Sequence, residues 1–140
     1  MRNAAFANID EYNRNAKEKL YRIVFACDEI AEVLDKTGLS KQQKDEILKI
    51  ESELSIIARQ GRAFGIHLVL ATQRPDAAIL NGQIRNNIDT RICGRADNVL
   101  SQIILDNTDA SDKIAKSSQG RFLTNSGKIF QAYWFDENIL

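Results

Sequence analysis

Ile66-His67-Leu68-Val69-Leu70-Ala71-Thr72-Gln73-Arg74-Pro75 begins as an unbroken apolar run and stops abruptly at polar residues and the chain's single proline. A continuous run of this kind suits a strand covered on both faces, as in a parallel sheet, whereas a half-solvated strand would alternate. Upstream, Tyr21-Arg22-Ile23-Val24-Phe25-Ala26-Cys27 has the same character and ends in Asp28-Glu29. Downstream, Thr90-Arg91-Ile92-Cys93-Gly94 is a weaker third run. A helix is predicted between the first two. Ser40 and Gln43 make its capping box, and Ile47, Ile50, Leu54, Ile57 and Ala58 recur at three- and four-residue steps as one apolar stripe. Gly65 is placed to close that helix in a left-handed turn. Shorter helices are predicted over 99–105 and 111–116.

Strand, helix, strand, helix, strand is the α/β order, with right-handed crossovers. The tail differs. Gly120-Arg121-Phe122-Leu123-Thr124 and Lys128-Ile129-Phe130-Gln131-Ala132-Tyr133-Trp134 flank Asn125-Ser126-Gly127, a β-hairpin signal. The expected organisation is a single partial domain over 1–140. It comprises a lead-in over 1–20, an α/β core over 21–118, and a hairpin with its tail over 119–140. Pro75 marks the loop after a strand.

The 140 residues carry 19 basic and 19 acidic side chains, 44% hydrophobic and 27% charged residues, so the composition is that of an ordinary globular protein. A net charge of zero gives no general pull toward DNA or an anionic membrane, but leaves local DNA-binding loops open. No apolar run reaches the roughly 20 residues of a membrane span, and the start does not read as a signal peptide. A cytoplasmic location is expected. Cys27 and Cys93, with only His67 beside them, form no zinc set and read as buried reduced thiols.

In an open α/β sheet, ligands sit beyond the carboxyl ends of the strands, and those ends offer Asp28, Glu29, Gln73 and Arg74. An apolar strand ending in Asp-Glu suits nucleotide hydrolysis. The Asp can hold the water shell of a phosphate-bound Mg²⁺, and the Glu can orient and deprotonate the attacking water. Taken alone, such a pair serves equally well as a helix cap. Gln73 can bond a γ-phosphate or the attacking water, or simply backbone. Arg62, taken alone, reads as a solvated helix residue. His67 reads as a core or edge histidine. Arg85, Arg91 and Arg95 could face DNA or phosphate, with surface solvation the favoured reading, and Tyr133-Trp134-Phe135 could stack on bases, although hairpin aromatics usually pack against the sheet.

The combination resembles the FtsK/SpoIIIE family of DNA translocases. Asp28-Glu29-Ile30-Ala31-Glu32 resembles the end of the family's Walker B strand. The stretch from Arg62 to Pro75 resembles its sensor segment, and Asn87-Ile88-Asp89-Thr90-Arg91-Ile92 with Ile104-Leu105-Asp106 resembles the strand and helix that follow. Tyr12-Asn13 also fits, so the resemblance runs from Asn8 to Phe135. It implies Asp28 as the Mg²⁺-side carboxylate, Glu29 as the catalytic carboxylate, Gln73 as sensor, and Arg62 as an arginine finger on a neighbouring subunit's ATP. It further implies a partial RecA-like P-loop NTPase fold, ATP and Mg²⁺ as cofactors of the complete motor, double-stranded DNA as partner, a homohexameric ring, and a parent protein tethered at the inner face of the membrane.

One departure is plain. No Gly-x-x-x-x-Gly-Lys-Ser/Thr loop occurs in the sequence, and Gly127-Lys128 precedes Ile129 inside the hairpin signal. The chain therefore reads as the C-terminal part of such a motor, inactive by itself. Cys27 stands where the family usually has a larger aliphatic residue. Chromosome segregation and conjugative transfer both fit, with the short spacing and missing accessory domain pointing toward transfer. A non-catalytic interaction module derived from a motor, and another coupling or secretion ATPase, remain open alternatives.

Overall fold

The computed structural model describes residues 6–73, 82–133 and 136. These divide into two compact units, one of residues 6–73 and 82–88, the other of 89–133 and 136.

The first unit opens with α1 (Ile9–Asn15), capped by the Asn8 side chain on Glu11 N–H. Strand β1 (Ile23–Cys27) then leads into the short helix α2 (Ile30–Leu34). Helix α3 (Lys41–Gln60) starts at the predicted capping box, with Ser40 and Gln43 each bonding the other's backbone N–H. A 3-10 turn (Gly61–Phe64) follows, and Gly65 closes it at φ 78°. Strand β2 (Ile66–Leu70) runs parallel to β1, pairing Ile23 with Ile66 through Cys27 with Leu70. Helix α4 (Gly82–Asn86) completes the unit.

The core gathers at the carboxyl ends of the two strands. Ile30, Leu34, Leu54 and Ile84 are buried together, and Cys27, Ile47, Leu70 and Ile88 pack on them. Of the stripe predicted on α3, Leu54 is buried and Ile47 half-buried, but Ile50 is exposed. Glu51 is buried instead, held by Lys36 Nζ at 2.7 Å.

The two strands are not covered on both faces. Ile23, Val24, Phe25 and Val69 are exposed. The pleat explains part of this. Cys27 and Leu70 point into the core, so Val24, Ala26 and Val69 lie on the opposite face, and no described helix packs there.

In the second unit, β3 (Ile92–Cys93) pairs antiparallel with β4 (Arg121–Thr124), and β4 with β5 (Ile129–Gln131). The expected β-hairpin is present, turning at Gly127 with φ 82°. The third apolar run thus joins the hairpin sheet rather than extending the parallel pair. In that sheet Cys93 is buried while Ile92 is exposed, the pattern of a strand packed on one face. Helices α5 (Asn98–Leu105) and α6 (Asp109–Lys113) cover the sheet, and Cys93, Leu105, Ala110, Ile114 and Leu123 form the core. The described sheets are small, and the molecule is an α/β protein built on them.

Candidate functional site

The parallel ladder continues past the strand ends. Ala71 N–H donates to Cys27 C=O at 2.8 Å, and Ile30 N–H to Ala71 C=O at 2.9 Å. This stitching fixes the turn after β1 against the turn after β2, and by the same register residue 29 falls opposite residue 72. Asp28, Glu29, Thr72 and Gln73 therefore share one edge of the first unit.

Glu29 is the best-held member. It is the N-cap of α2, one carboxylate oxygen accepting from Ala31 N–H at 3.2 Å. The same oxygen accepts from the Thr72 hydroxyl at 2.5 Å, and the other from Gln73 N–H at 2.9 Å. The two readings of an acidic residue after a strand thus coincide in one side chain, which caps a helix and also stands at the edge where ligands bind in open α/β sheets. Asp28 is exposed beside it and makes no hydrogen bond or ion pair among the described residues. Gln73 is exposed, joined to Glu29 through its backbone. Arg74 and Pro75 lie outside the described residues.

Arg62 is not brought to this edge. It sits exposed in the 3-10 turn before β2, so the length of a five-residue strand, roughly 3.3 Å per residue, separates it from Thr72 and Gln73. An arginine there stands at the opposite end of the strand from Asp28 and Glu29. Of the other candidates, His67 is half-buried and pairs with Val24.

Arg91 and Arg95 are not the solvated surface residues expected from the sequence. Both are half-buried. Arg91 binds Asp106 at 2.6 Å, and Arg95 donates to Ser111 C=O. Arg85 is half-buried on α4. Among the hairpin aromatics, Phe122 and Phe130 stack at 5.7 Å, whereas Tyr133 is fully exposed rather than packed. Trp134 and Phe135 lie outside the described residues. Cys27 and Cys93 are both free thiols, Cys93 buried and Cys27 only partly so.

Thr72 was not singled out by the sequence. Its role depends on the register between strands 43 residues apart, and the only local signal is a hydroxyl-bearing residue at the end of an apolar run. Among the described residues no helix is long and apolar enough to cross a membrane, and no three His, Cys, Asp or Glu side chains are grouped to hold a metal ion.

No family model matches the chain. The DNA translocase FtsK of Chlorobaculum tepidum is 35% identical over 124 residues, which is 87% of this chain but 14% of the relative. The structure of the conjugation coupling protein TcpA of pCW3, in its monomer form with ATPγS, superposes with a TM-score of 0.85 at 43% identity, over 94% of this chain and 38% of that one. The cytoplasmic domain of the type VII secretion ATPase EccC of Thermomonospora curvata shares the fold, with a TM-score of 0.70 at 22% identity over 95% of this chain and 16% of that one. The chain thus corresponds to a small part of each relative it matches, and by its sequence it belongs to the FtsK/SpoIIIE family of DNA translocases.

Proposed function

We propose that this chain is the C-terminal part of a motor domain that couples ATP hydrolysis to movement along double-stranded DNA. The observation that carries the reading is the meeting of Asp28, Glu29 and Gln73 at the carboxyl ends of two paired parallel strands, inside a segment similar in sequence to DNA translocases. The small parallel pair is read as a portion of a larger RecA-like sheet, whose other strands cover the exposed valines.

In this reading Glu29 orients the attacking water and accepts its proton. Its carboxylate is suited to the task because backbone and hydroxyl donors fix it against β2. Asp28 is exposed beside it, and its oxygens are available to the water shell of a cation. Mg²⁺, when bound with ATP, supplies neutralisation of phosphate charge. Asp28 is the residue that would hold it, with its other ligands coming from phosphate oxygens and water, as is usual for this ion. Gln73, one residue beyond Thr72, reports on the nucleotide. Arg62, a strand's length from these carboxylates, serves the ATP of a neighbouring subunit, which requires a head-to-tail ring; a homohexamer is the form we assign. The phosphates themselves need a glycine-rich loop that this sequence does not contain, so the 140-residue chain alone is expected to show only background turnover.

The 43% identity to a conjugation coupling protein favours DNA transfer between cells over chromosome segregation. A tether of the parent protein to the inner face of the membrane accords with that role. The test is ATP turnover by a protein extended upstream of Met1 through the preceding coding region, with duplex DNA or with an unfolded polypeptide added. Stimulation by DNA alone is expected. Stimulation by polypeptide and not DNA would place the chain with secretion ATPases instead.

A further inference from the structure

We infer that Thr72 is a positioning residue for Glu29: its hydroxyl sets the rotamer of the carboxylate that activates water, and links that carboxylate to the segment carrying Gln73. The inference rests on the general-base reading of Glu29 given above.

A 2.5 Å separation between the Thr72 Oγ1 and a Glu29 carboxylate oxygen is a short, charge-assisted hydrogen bond. The threonine is half-buried and β-branched, so its χ1 is stiff and the hydroxyl is a donor fixed in direction. Capping α2 requires only the Ala31 N–H, which lies at the longer distance of 3.2 Å. The Thr72 and Gln73 donors do something a cap does not: they cross from one strand end to the other and hold both carboxylate oxygens. The Ala31 and Gln73 donors belong to the backbone and are untouched by substitution. Thr72 supplies its donor from a side chain, so this part of the clamp can be removed alone.

A carboxylate held in one rotamer keeps its proton-accepting oxygen aligned with a bound water, and small misplacement of a reacting group is costly to rate. The direction of the effect follows. Thr72→Val keeps the shape and loses the donor. It should lower kcat about ten- to a hundredfold and leave the KM for ATP unchanged, because the bond removed is one to the carboxylate. Thr72→Ser restores the donor and should restore kcat.

Two measurements test this. In the 140-residue chain, the ¹³C resonance of the Glu29 side-chain carboxylate should move in Thr72→Val and stay in Thr72→Ser. An unmoved resonance in Thr72→Val would show that the hydroxyl does not hold the carboxylate, and would overturn the proposal. In the upstream-extended protein, steady-state turnover of wild type, Thr72→Val, Thr72→Ser and Glu29→Gln should give the kcat pattern above, with Glu29→Gln inactive. A wild-type kcat in Thr72→Val, a Thr72→Ser variant as slow as Thr72→Val, or a rise in DNA-independent turnover would each overturn the positioning role. Turnover untouched by Glu29→Gln would remove the general-base reading itself, and the positioning role with it, whatever the Thr72 variants do.

Discussion

Glu29 shows how one side chain answers two demands. A carboxylate after a strand satisfies an orphan N–H of the next helix, and the geometry that makes it a good cap also fixes it at the sheet edge, against β2. The strand ends were legible in the sequence because both apolar runs stop abruptly at polar residues, so Asp28, Glu29 and Gln73 could be placed at one edge from pattern alone. Thr72 could not, since nothing local reveals which residue lies across the ladder. At the same scale, burial pushes the Cys93 thiol up from its ordinary value. The folded state then holds the thiol proton more tightly than the unfolded chain does. The resulting stabilisation is complete below the unfolded thiol's pKa, about 8.5, and is lost as pH rises through the folded value. The urea midpoint of wild type is therefore expected to fall more steeply above about pH 8.5 than that of Cys93→Ala. Parallel pH profiles would contradict this.

Among the elements, the start of α3 and the left-handed glycine before β2 were the most legible, because capping boxes and glycine turns are written in local chemistry, although α3 itself ends earlier, at Gly61, and Gly65 closes the 3-10 turn that follows. Ser40, Gln43 and Gly65 act as their residue types imply. Gly65 is needed twice over. Its φ of 78° is strained for any other residue, and a Cβ there would lie 2.5 Å from Cδ1 of the buried Ile9. Gly65→Ala is expected to destabilise the chain by about 1–3 kcal/mol, read from the urea midpoint, and Ile9→Ala should recover part of any clash in the double variant. An unchanged midpoint would mean that the turn relaxes freely. The pairing of β3 was not legible. A two-residue strand carries too little pattern to choose between a parallel and an antiparallel neighbour, and its partner lies some thirty residues on, at Leu123 and Thr124. The exposure of Ile50 has a similar cause. Periodicity marks a stripe, but the facing elements decide its width, and here the core takes Glu51 with its Lys36 partner instead.

At the scale of the whole molecule, the sequence announces strands built for burial on both faces, while β1 and β2 pair only with each other among the described residues. Val24 and Val69 are 63% and 55% exposed on one face and Ile23 is 60% exposed on the other, β-branched surface on a two-stranded sheet whose outer edges are unpaired among the described residues. Self-association is the expected consequence. Light scattering should give an average mass that rises with concentration, and Val24→Lys with Val69→Lys should suppress the rise. A constant monomer mass for the wild-type chain would contradict it. The same uncovered sheet fits a chain that works inside a larger motor, where other strands would complete the fold and the phosphate loop.

The most direct test of that account is ATP turnover by the upstream-extended protein on duplex DNA, wild type beside Glu29→Gln. The account predicts DNA-dependent hydrolysis in the wild type that falls to background in Glu29→Gln, with ATP binding retained. Equal turnover in the two proteins, or none in a folded wild type that assembles into rings, would contradict it.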